Sequence, residues 1–377
     1  MILIINSSNL VEGGSIQVSL SLLNELIAFT DNTYHIFLCK ALSAQLERDK
    51  FPSNFIFYET FVTPARLITH KKTVKYLSYL ENQIKPDCVL TVFGPAYWKP
   101  KCAHVVGFAL GQFIYFESPY FKQISFWDRC KFKIEGLIKF QCFNKEADAI
   151  IVETDDVNRR LSRFFKKDIY TVSNTCNSVY SSFSTYPSKL PIKDNHEIRL
   201  LTIAAFYPHK NISIIKNVLD ILELKKITNI KFVITIPDEV YKSIFPLKYR
   251  TKVLNVGRTP VVECPSLYQE CDIAFIPTML ECFTAAYPEA MAMKKPILTS
   301  DLGFAHSICL NAAVYFDPLN AEDIANKISL LVNNDKLQNE LIINGENRLP
   351  QFLTGKERAI EYLNICQKLI NNKNVNL

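Results

Sequence analysis

Short apolar runs alternate along the chain with stretches whose apolar residues recur at three- and four-residue spacing. In the first half these runs fall at 2–5, 35–39, 55–58, 88–93, 105–109, 149–153 and 169–172, and each predicts a short buried strand. Between 181 and 197 the sequence turns polar and carries Pro187 and Pro191, which marks a domain boundary. The pattern restarts beyond it, with runs at 199–205, 232–236, 253–256, 273–277, 297–300 and 314–316. Strands alternating with helical stretches predict parallel, doubly wound sheets, here two αβα units in tandem. The cleft between two such units is where ligands of these folds usually bind. A last helical stretch spans 355–370, and the polar tail 371–377 is expected to fray.

Composition narrows the class. A chain of 377 residues is comfortable for two domains, and 48% hydrophobic with 21% charged residues is the make-up of a soluble folded protein. The net charge of +6 suits a phosphorylated ligand or an anionic surface and is too weak and dispersed to argue for nucleic acid. The 11 cysteines are odd in number and never spaced Cys-x2-Cys, so neither a disulfide framework nor a zinc site is expected, and a reducing cytosol is. Residues 1–5 are apolar but lack a basic leader, and read as a first strand. No run approaches the ~18 apolar residues of a membrane span.

Candidate chemistry concentrates at 278–293. Glu281 and Glu289 stand eight residues apart, between an apolar strand and a helix-prone run. Read as mostly helical, at about 1.5 Å and 100° per residue, the stretch puts both carboxylates on one side, roughly 12 Å apart. That span lets one carboxylate take sugar hydroxyls and the other a ribose, with a diphosphate resting on the helix N–H groups between them. An ordinary helix with two surface glutamates fits the spacing as well. Lys210 follows the first strand of the second half and can reach a diphosphate as a point charge, although such a lysine is more often merely solvated. Gly13 and Gly14 sit between the first strand and the helical run 15–29, where bare backbone favours an anion or simply makes a turn. They do not form the Gly-x-Gly-x-x-Gly of an NAD site. His209 is expected on the surface.

The helix predicted over 126–143 places Phe126, Cys130, Ile134, Leu137 and Ile138 on one face, with Arg129, Phe132, Lys133 and Phe143 on another flank. Phe113, Tyr115, Phe116, Tyr120, Phe121 and Lys122 lie just upstream, and Arg66, His70, Lys71, Lys72 and Lys75 form a second basic segment. Segments 113–145 and 66–75 therefore suit contact with an anionic inner-membrane surface, against the alternative of a core helix with solvated charges.

Glu281 to Glu289 resembles the Glu-x7-Glu signature of the retaining GT-B glycosyltransferases of family 4. The strand end Ile276-Pro277-Thr278, the Glu289-Ala290-Met291-Ala292 run and the following strand Lys295-Pro296-Ile297-Leu298-Thr299-Ser300 match in order. Pro208-His209-Lys210-Asn211 is similar to the family's phosphate-binding turn, and Gly13-Gly14 to its Gly-Gly turn. The likeness is strong over 198–320 and looser before it. It implies two Rossmann-like α/β domains facing across a cleft, an acceptor-binding one at 1–185 and a nucleotide-sugar-binding one at 186–354. A closing helix and tail at 355–377 would cross back to pack on the first.

The activity implied is transfer of a sugar, with retention, from a nucleotide-sugar donor to a saccharide hydroxyl. Glu281 would hold the transferred sugar, Glu289 the ribose, and Lys210 the diphosphate. Gly13, Gly14, Phe283, Thr284 and Ala285 would complete the donor site. No Asp-x-Asp is present, so neither a metal nor another cofactor is implied. The expected acceptor is lipid-linked, or another oligosaccharide, in O-antigen, lipopolysaccharide or related surface-polysaccharide assembly. The enzyme would be cytoplasmic and peripheral on the inner face of the cytoplasmic membrane.

Departures bear on the donor. Glu281-Cys282-Phe283-Thr284 stands where the family reads Glu-Gly-Phe-Gly or Glu-Gly-Phe-Ser. Ala205 replaces a common arginine and Lys294 a common glycine, and the run 105–111 lacks the family's cleft histidine. His104, placed before that strand, is a poor substitute. Asn174 resembles the family's turn at the end of the first domain and reads as a hinge. A nucleotide-sugar 2-epimerase of the same fold and a catalytically silent nucleotide-sugar-binding partner are the alternatives.

Overall fold

The computed structural model describes residues 1–11, 13–60, 62–182, 184 and 186–375; parts of the expected boundary segment and of the tail lie outside these. Two compact units emerge. One holds Met1–Ile114, Phe126–Asn174 and the chain from Leu353 onward; the other holds Tyr115–Ser125 and Thr175–Phe352.

The first unit is built on β1 (Ile2–Asn6), β2 (Thr33–Cys39), β3 (Phe55–Thr60), β4 (Cys88–Thr91), β5 (Ala103–Gly107), β6 (Ala149–Val152) and β7 (Asp168–Thr171). They form one sheet in the order β3-β2-β1-β4-β5-β6-β7, every neighbouring pair parallel. β4, β5 and β6 are buried along their whole length, which is why they read as continuous apolar runs and not as alternation. The helix Gly14–Leu26 lays Ile16, Leu22, Leu23 and Leu26 on the sheet at helical spacing. The helix Gly355–Val375 adds Ala359, Tyr362, Leu363, Cys366 and Leu369 to the same core. Residues 371–375, expected to fray, are helical. Lys373 fixes that last turn by an ion pair to Asp148 at 2.8 Å and a bond to the Cys102 carbonyl. Asn174, buried at the end of this unit's second segment, accepts a 2.7 Å hydrogen bond from the buried Arg358 of the same helix.

The placements of His104, of Phe143 and of several aromatics upstream of the long helix differ from expectation. His104 lies inside β5 and not before it, and is wholly buried. Its ring nitrogens meet Thr91 Oγ1 at 2.8 Å and the Glu146 carbonyl at 3.0 Å, and burial pulls its pKa down to about 4. It is a satisfied core histidine. The long helix is Phe126–Glu146, and the face predicted from Phe126, Ile134, Leu137 and Ile138 points to solvent. It packs instead through Gly136 and Phe143. A Cβ on Gly136 would come within 2.9 Å of the Phe113 ring, so the smallest residue decides the contact side. The upstream aromatics divide: Phe113, Tyr115 and Tyr120 are buried and cannot belong to an outer surface, whereas Phe116 is exposed.

The second unit is built on β8 (Ile198–Thr202), β9 (Ile230–Ile234), β10 (Val253–Asn255), β11 (Ile273–Ile276), β12 (Ile297–Ser300) and β13 (Ala313–Phe316). Their order is β10-β9-β8-β11-β12-β13, again parallel throughout. Phe232, Phe275 and Phe316 run across three strands in ring contact at 5.3 and 5.5 Å. The strand order reverses between β8 and β11. In open α/β sheets that switch point, beyond the carboxyl ends of the strands, is where ligands bind. Among the described residues no helix is long and apolar enough to cross a membrane.

Candidate functional site

Lys210 and Glu281 arise from the two strands flanking the switch point of the second sheet. After β8 the chain makes one 3-10 turn, Pro208–Lys210, begun by the fixed φ of proline and ended by Asn211 in the left-handed region at φ 56°. The Asn211 side-chain amide bonds the Pro318 carbonyl at 2.8 Å, which pins the turn. After β11, Thr278 to Leu280 carry the chain to Glu281. The Lys210 ammonium and the Glu281 carboxylate meet at 2.5 Å, both half-buried, and the Thr278 hydroxyl donates to the same carboxylate oxygen at 2.8 Å. The Met279 N–H donates to the His209 carbonyl at 2.7 Å, tying the two loops together through their main chains. His209, expected on the surface, is half-buried between the rings of Tyr207 and Tyr120, and burial lowers its pKa.

The stretch joining the glutamates is not helical as the spacing suggested. Residues 281–285 are irregular, and the helix is Ala286–Ala292 with Ala285 as its cap. Pro288 sets this limit: its ring would collide with the carbonyl of residue 284 in any longer helix, whereas in the first turn it is tolerated. The two carboxylates therefore lie in different local structures, and helical periodicity does not relate them. Cys282 and Phe283 are buried, and the Phe283 ring meets Phe352 edge-on at 6.0 Å. The Thr284 carbonyl accepts from Tyr287 N–H at 3.3 Å, and the Ala285 carbonyl from Glu289 N–H at 2.9 Å.

Glu289 stands in the first turn of that helix, beside Tyr180, Tyr268, Cys176 and Cys264. It keeps some solvent access, and no ion pair to it is seen among the described residues. Burial pushes its carboxyl up to about 7, against the pull of Tyr180 acting as a hydrogen-bond donor. The rings of Tyr180 and Tyr268 meet edge-on at 5.9 Å, and the Tyr268 hydroxyl donates to the Ala286 carbonyl at 3.4 Å. Nothing in the sequence spacing pointed to this aromatic and thiol lining. Tyr180 lies six residues past Asn174, and Tyr268 on a separate helix, Cys264–Glu270.

The Gly13-Gly14 turn belongs to the first unit. It lies past the end of β1, which is flanked by β2 and β4 where that sheet's own order reverses. Gly13 adopts φ 81°, a left-handed conformation that favours glycine, and a Cβ added to Gly14 would meet nothing within 4 Å. The loop backbone there is open. The second unit thus brings together Lys210 and Glu281 directly, with Phe283, Thr284 and Ala285 on the segment that leads to Glu289. The Gly pair is a separate feature of the first.

The family model of glycosyl transferases group 1 matches residues 184–348. An N,N'-diacetylbacillosaminyl-diphospho-undecaprenol alpha-1,3-N-acetylgalactosaminyltransferase of Campylobacter jejuni is 33% identical over 120 residues, 31% of this chain and 30% of that protein. The chain spans less than half the length of the curated relatives it matches. The crystal structure of a glycosyltransferase from Rickettsia africae superposes with a TM-score of 0.70 at 15% identity, covering 98% of both chains. That of Anabaena HepE in complex with UDP and glucose superposes with a TM-score of 0.71 at 14% identity, covering 98% of this chain and 100% of that one. Residues 184–348 thus match the glycosyl transferases group 1 family model, in a chain whose two parallel α/β units have the GT-B fold.

Proposed function

We propose that the protein is a retaining, metal-independent glycosyltransferase of the family 4 type, moving a sugar from a nucleotide-sugar donor to a saccharide hydroxyl. The observation that carries this reading is the Lys210–Glu281 pair at the switch point of the second sheet, with Glu289 set apart in its own polar-aromatic pocket. Lys210 would meet the diphosphate and stabilise the charge that develops as the glycosidic C–O bond breaks. Glu281, held by Lys210 and Thr278, would take hydroxyls of the transferred sugar, and Glu289 those of the ribose. Phe283 would contribute through its main chain, since its side chain is packed inward. No side chain is placed as a nucleophile; the leaving phosphate would help to deprotonate an acceptor attacking from the same face.

The Campylobacter relative is named for an undecaprenol-linked acceptor, and the Anabaena structure holds UDP and glucose. These names favour a UDP-sugar donor and a lipid-linked acceptor in surface-polysaccharide assembly. A peripheral place on the inner face of the cytoplasmic membrane fits the outward face of helix Phe126–Glu146. There Phe126 and Trp127 are 67% and 78% exposed, next to exposed Arg129, Lys131 and Lys133. Exposed Leu67 and Ile68 lie beside Lys71 and Lys72 in the second basic segment. The protein's other tryptophan, Trp98, is buried, so emission that moves to the blue on anionic vesicles reports Trp127. Unchanged emission on vesicles of one-half phosphatidylglycerol would remove the membrane from this reading.

The direct test is incubation with a panel of nucleotide sugars, with and without an undecaprenyl-diphosphate-linked saccharide. Acceptor-dependent nucleotide release is the expected result. Interconversion at the sugar would make the protein an epimerase, and binding without turnover a silent partner.

A further inference from the structure

Residues Tyr115–Ser125 lie far in sequence from the rest of the second unit, yet they pack within it. Ring contacts and a buried hydroxyl help to fasten them. The Tyr115 ring meets Phe304 at 6.1 Å, and the Tyr120 ring meets His209 edge-on at 6.0 Å. The Ser118 hydroxyl, itself buried, donates to the Met279 carbonyl at 2.7 Å. The same Ser118 oxygen accepts the Tyr120 N–H at 3.2 Å, so its single proton is directed at Met279.

Met279 is held through both of its flanking peptide groups: its N–H donates to the carbonyl of His209, next to Lys210, and its carbonyl accepts from Ser118. Met279 separates Thr278, which donates to Glu281, from Leu280 and Glu281 itself. Its side chain is wholly buried, so a released carbonyl has little water to turn to. Fixing the peptides on both sides of Met279 fixes the loop that aims the Glu281 carboxylate.

We propose that Ser118 is a positioning residue of the donor site: through the Met279 carbonyl it holds the 278–281 loop so that Glu281 meets the transferred sugar. The proposal rests on the donor-site reading above and deepens it. The nucleoside diphosphate part is left to Lys210 and Glu289, so the effect of losing Ser118 is selective. It falls on recognition of the sugar more than on binding of the nucleotide.

The experiment compares the affinity for a free nucleoside diphosphate with that for the intact nucleotide sugar which the wild-type protein turns over, in wild type, Ser118→Ala, Ser118→Thr and Glu281→Gln. In wild type the sugar adds to affinity. Ser118→Ala is expected to lose that increment, roughly tenfold, the effect of leaving one buried carbonyl unsatisfied, with nucleoside diphosphate affinity within about twofold of wild type. Ser118→Thr, which keeps the hydroxyl, restores the increment. An equal loss for both ligands, or no loss for either while Glu281→Gln loses the increment, would overturn the role of Ser118 and leave the donor site standing. If Ser118→Ala does not fold, a Ser118→Thr variant that folds but recognises the sugar no better than Glu281→Gln overturns it as well. Failure of the wild-type protein to bind any nucleoside diphosphate would overturn the donor-site reading itself, and the proposal with it.

Discussion

Glu281 and Glu289 stand eight residues apart, yet they occupy opposite electrostatic settings. Glu281 is ion-paired to Lys210 and receives a hydroxyl from Thr278. Glu289 faces two tyrosines and two thiols, with no ion pair among the described residues, and burial pushes its carboxyl up to about 7. The first is a carboxylate whose charge is already in use; the second is a group whose charge depends on pH and on what binds to it. A pair that looks symmetric in the sequence is divided into an ion-paired carboxylate and one raised by burial.

The largest effect expected on breaking this contrast is at Lys210. Lys210→Ala should lower acceptor-dependent nucleotide release by about 10²–10³-fold, the range for losing one fixed electrostatic partner of a developing charge. If Lys210 and Glu281 act as a unit, the double variant with Glu281→Gln should be no slower than Lys210→Ala alone, whereas independent roles would multiply. Next comes Glu289→Gln, expected to weaken nucleoside diphosphate binding roughly 10-fold or more in titration calorimetry at pH 8, through loss of charged hydrogen bonds.

The same residue makes a prediction about stability. A carboxyl whose folded pKa lies above its unfolded value holds an extra proton in the folded state. Its contribution therefore falls as pH rises from the ordinary value of 4.5 to about 7. Chemical denaturation of the ligand-free protein across that window should show this decline in wild type and lose it in Glu289→Gln. The smallest effect belongs to Thr278→Val, which removes one of the two partners of Glu281 and leaves Lys210. Only a few-fold loss in kcat/KM for the donor is expected, and a loss as deep as that of Lys210→Ala would erase the distinction drawn between these contacts.

The architecture was legible because parallel strands covered on both faces must be apolar throughout. The run 273–277 could hardly be anything but β11, whereas the polar break at 181–197 lies inside the second unit, whose main segment begins at Thr175. Lys210 was legible from the Pro-x-Lys-Asn turn, whose proline and left-handed asparagine each have one local task. The irregular start after Glu281 is also written in the sequence, in Pro288, whose steric demand overrides the helical spacing. His104 and Phe143, which is buried and not on an outer flank, escape the pattern for another reason. Burial is a property of what packs against a residue, and Thr91, Glu146 and Gly136 are distant in sequence or too small to leave a periodic trace. Ser118 lies 161 residues from its partner Met279, beyond the reach of any local pattern.

The most direct test of the division of labour is the pH dependence of UDP binding by titration calorimetry, from pH 6 to pH 8.5, in wild type and Glu289→Gln. An anionic Glu289 accepts ribose hydroxyls and a protonated one does so poorly, so the ratio of wild-type to variant affinity should rise with pH through a midpoint near 7, the ionisation of the UDP terminal phosphate being common to both. A ratio that does not change with pH would contradict the assignment of Glu289 to the donor and with it the contrast between the two carboxylates.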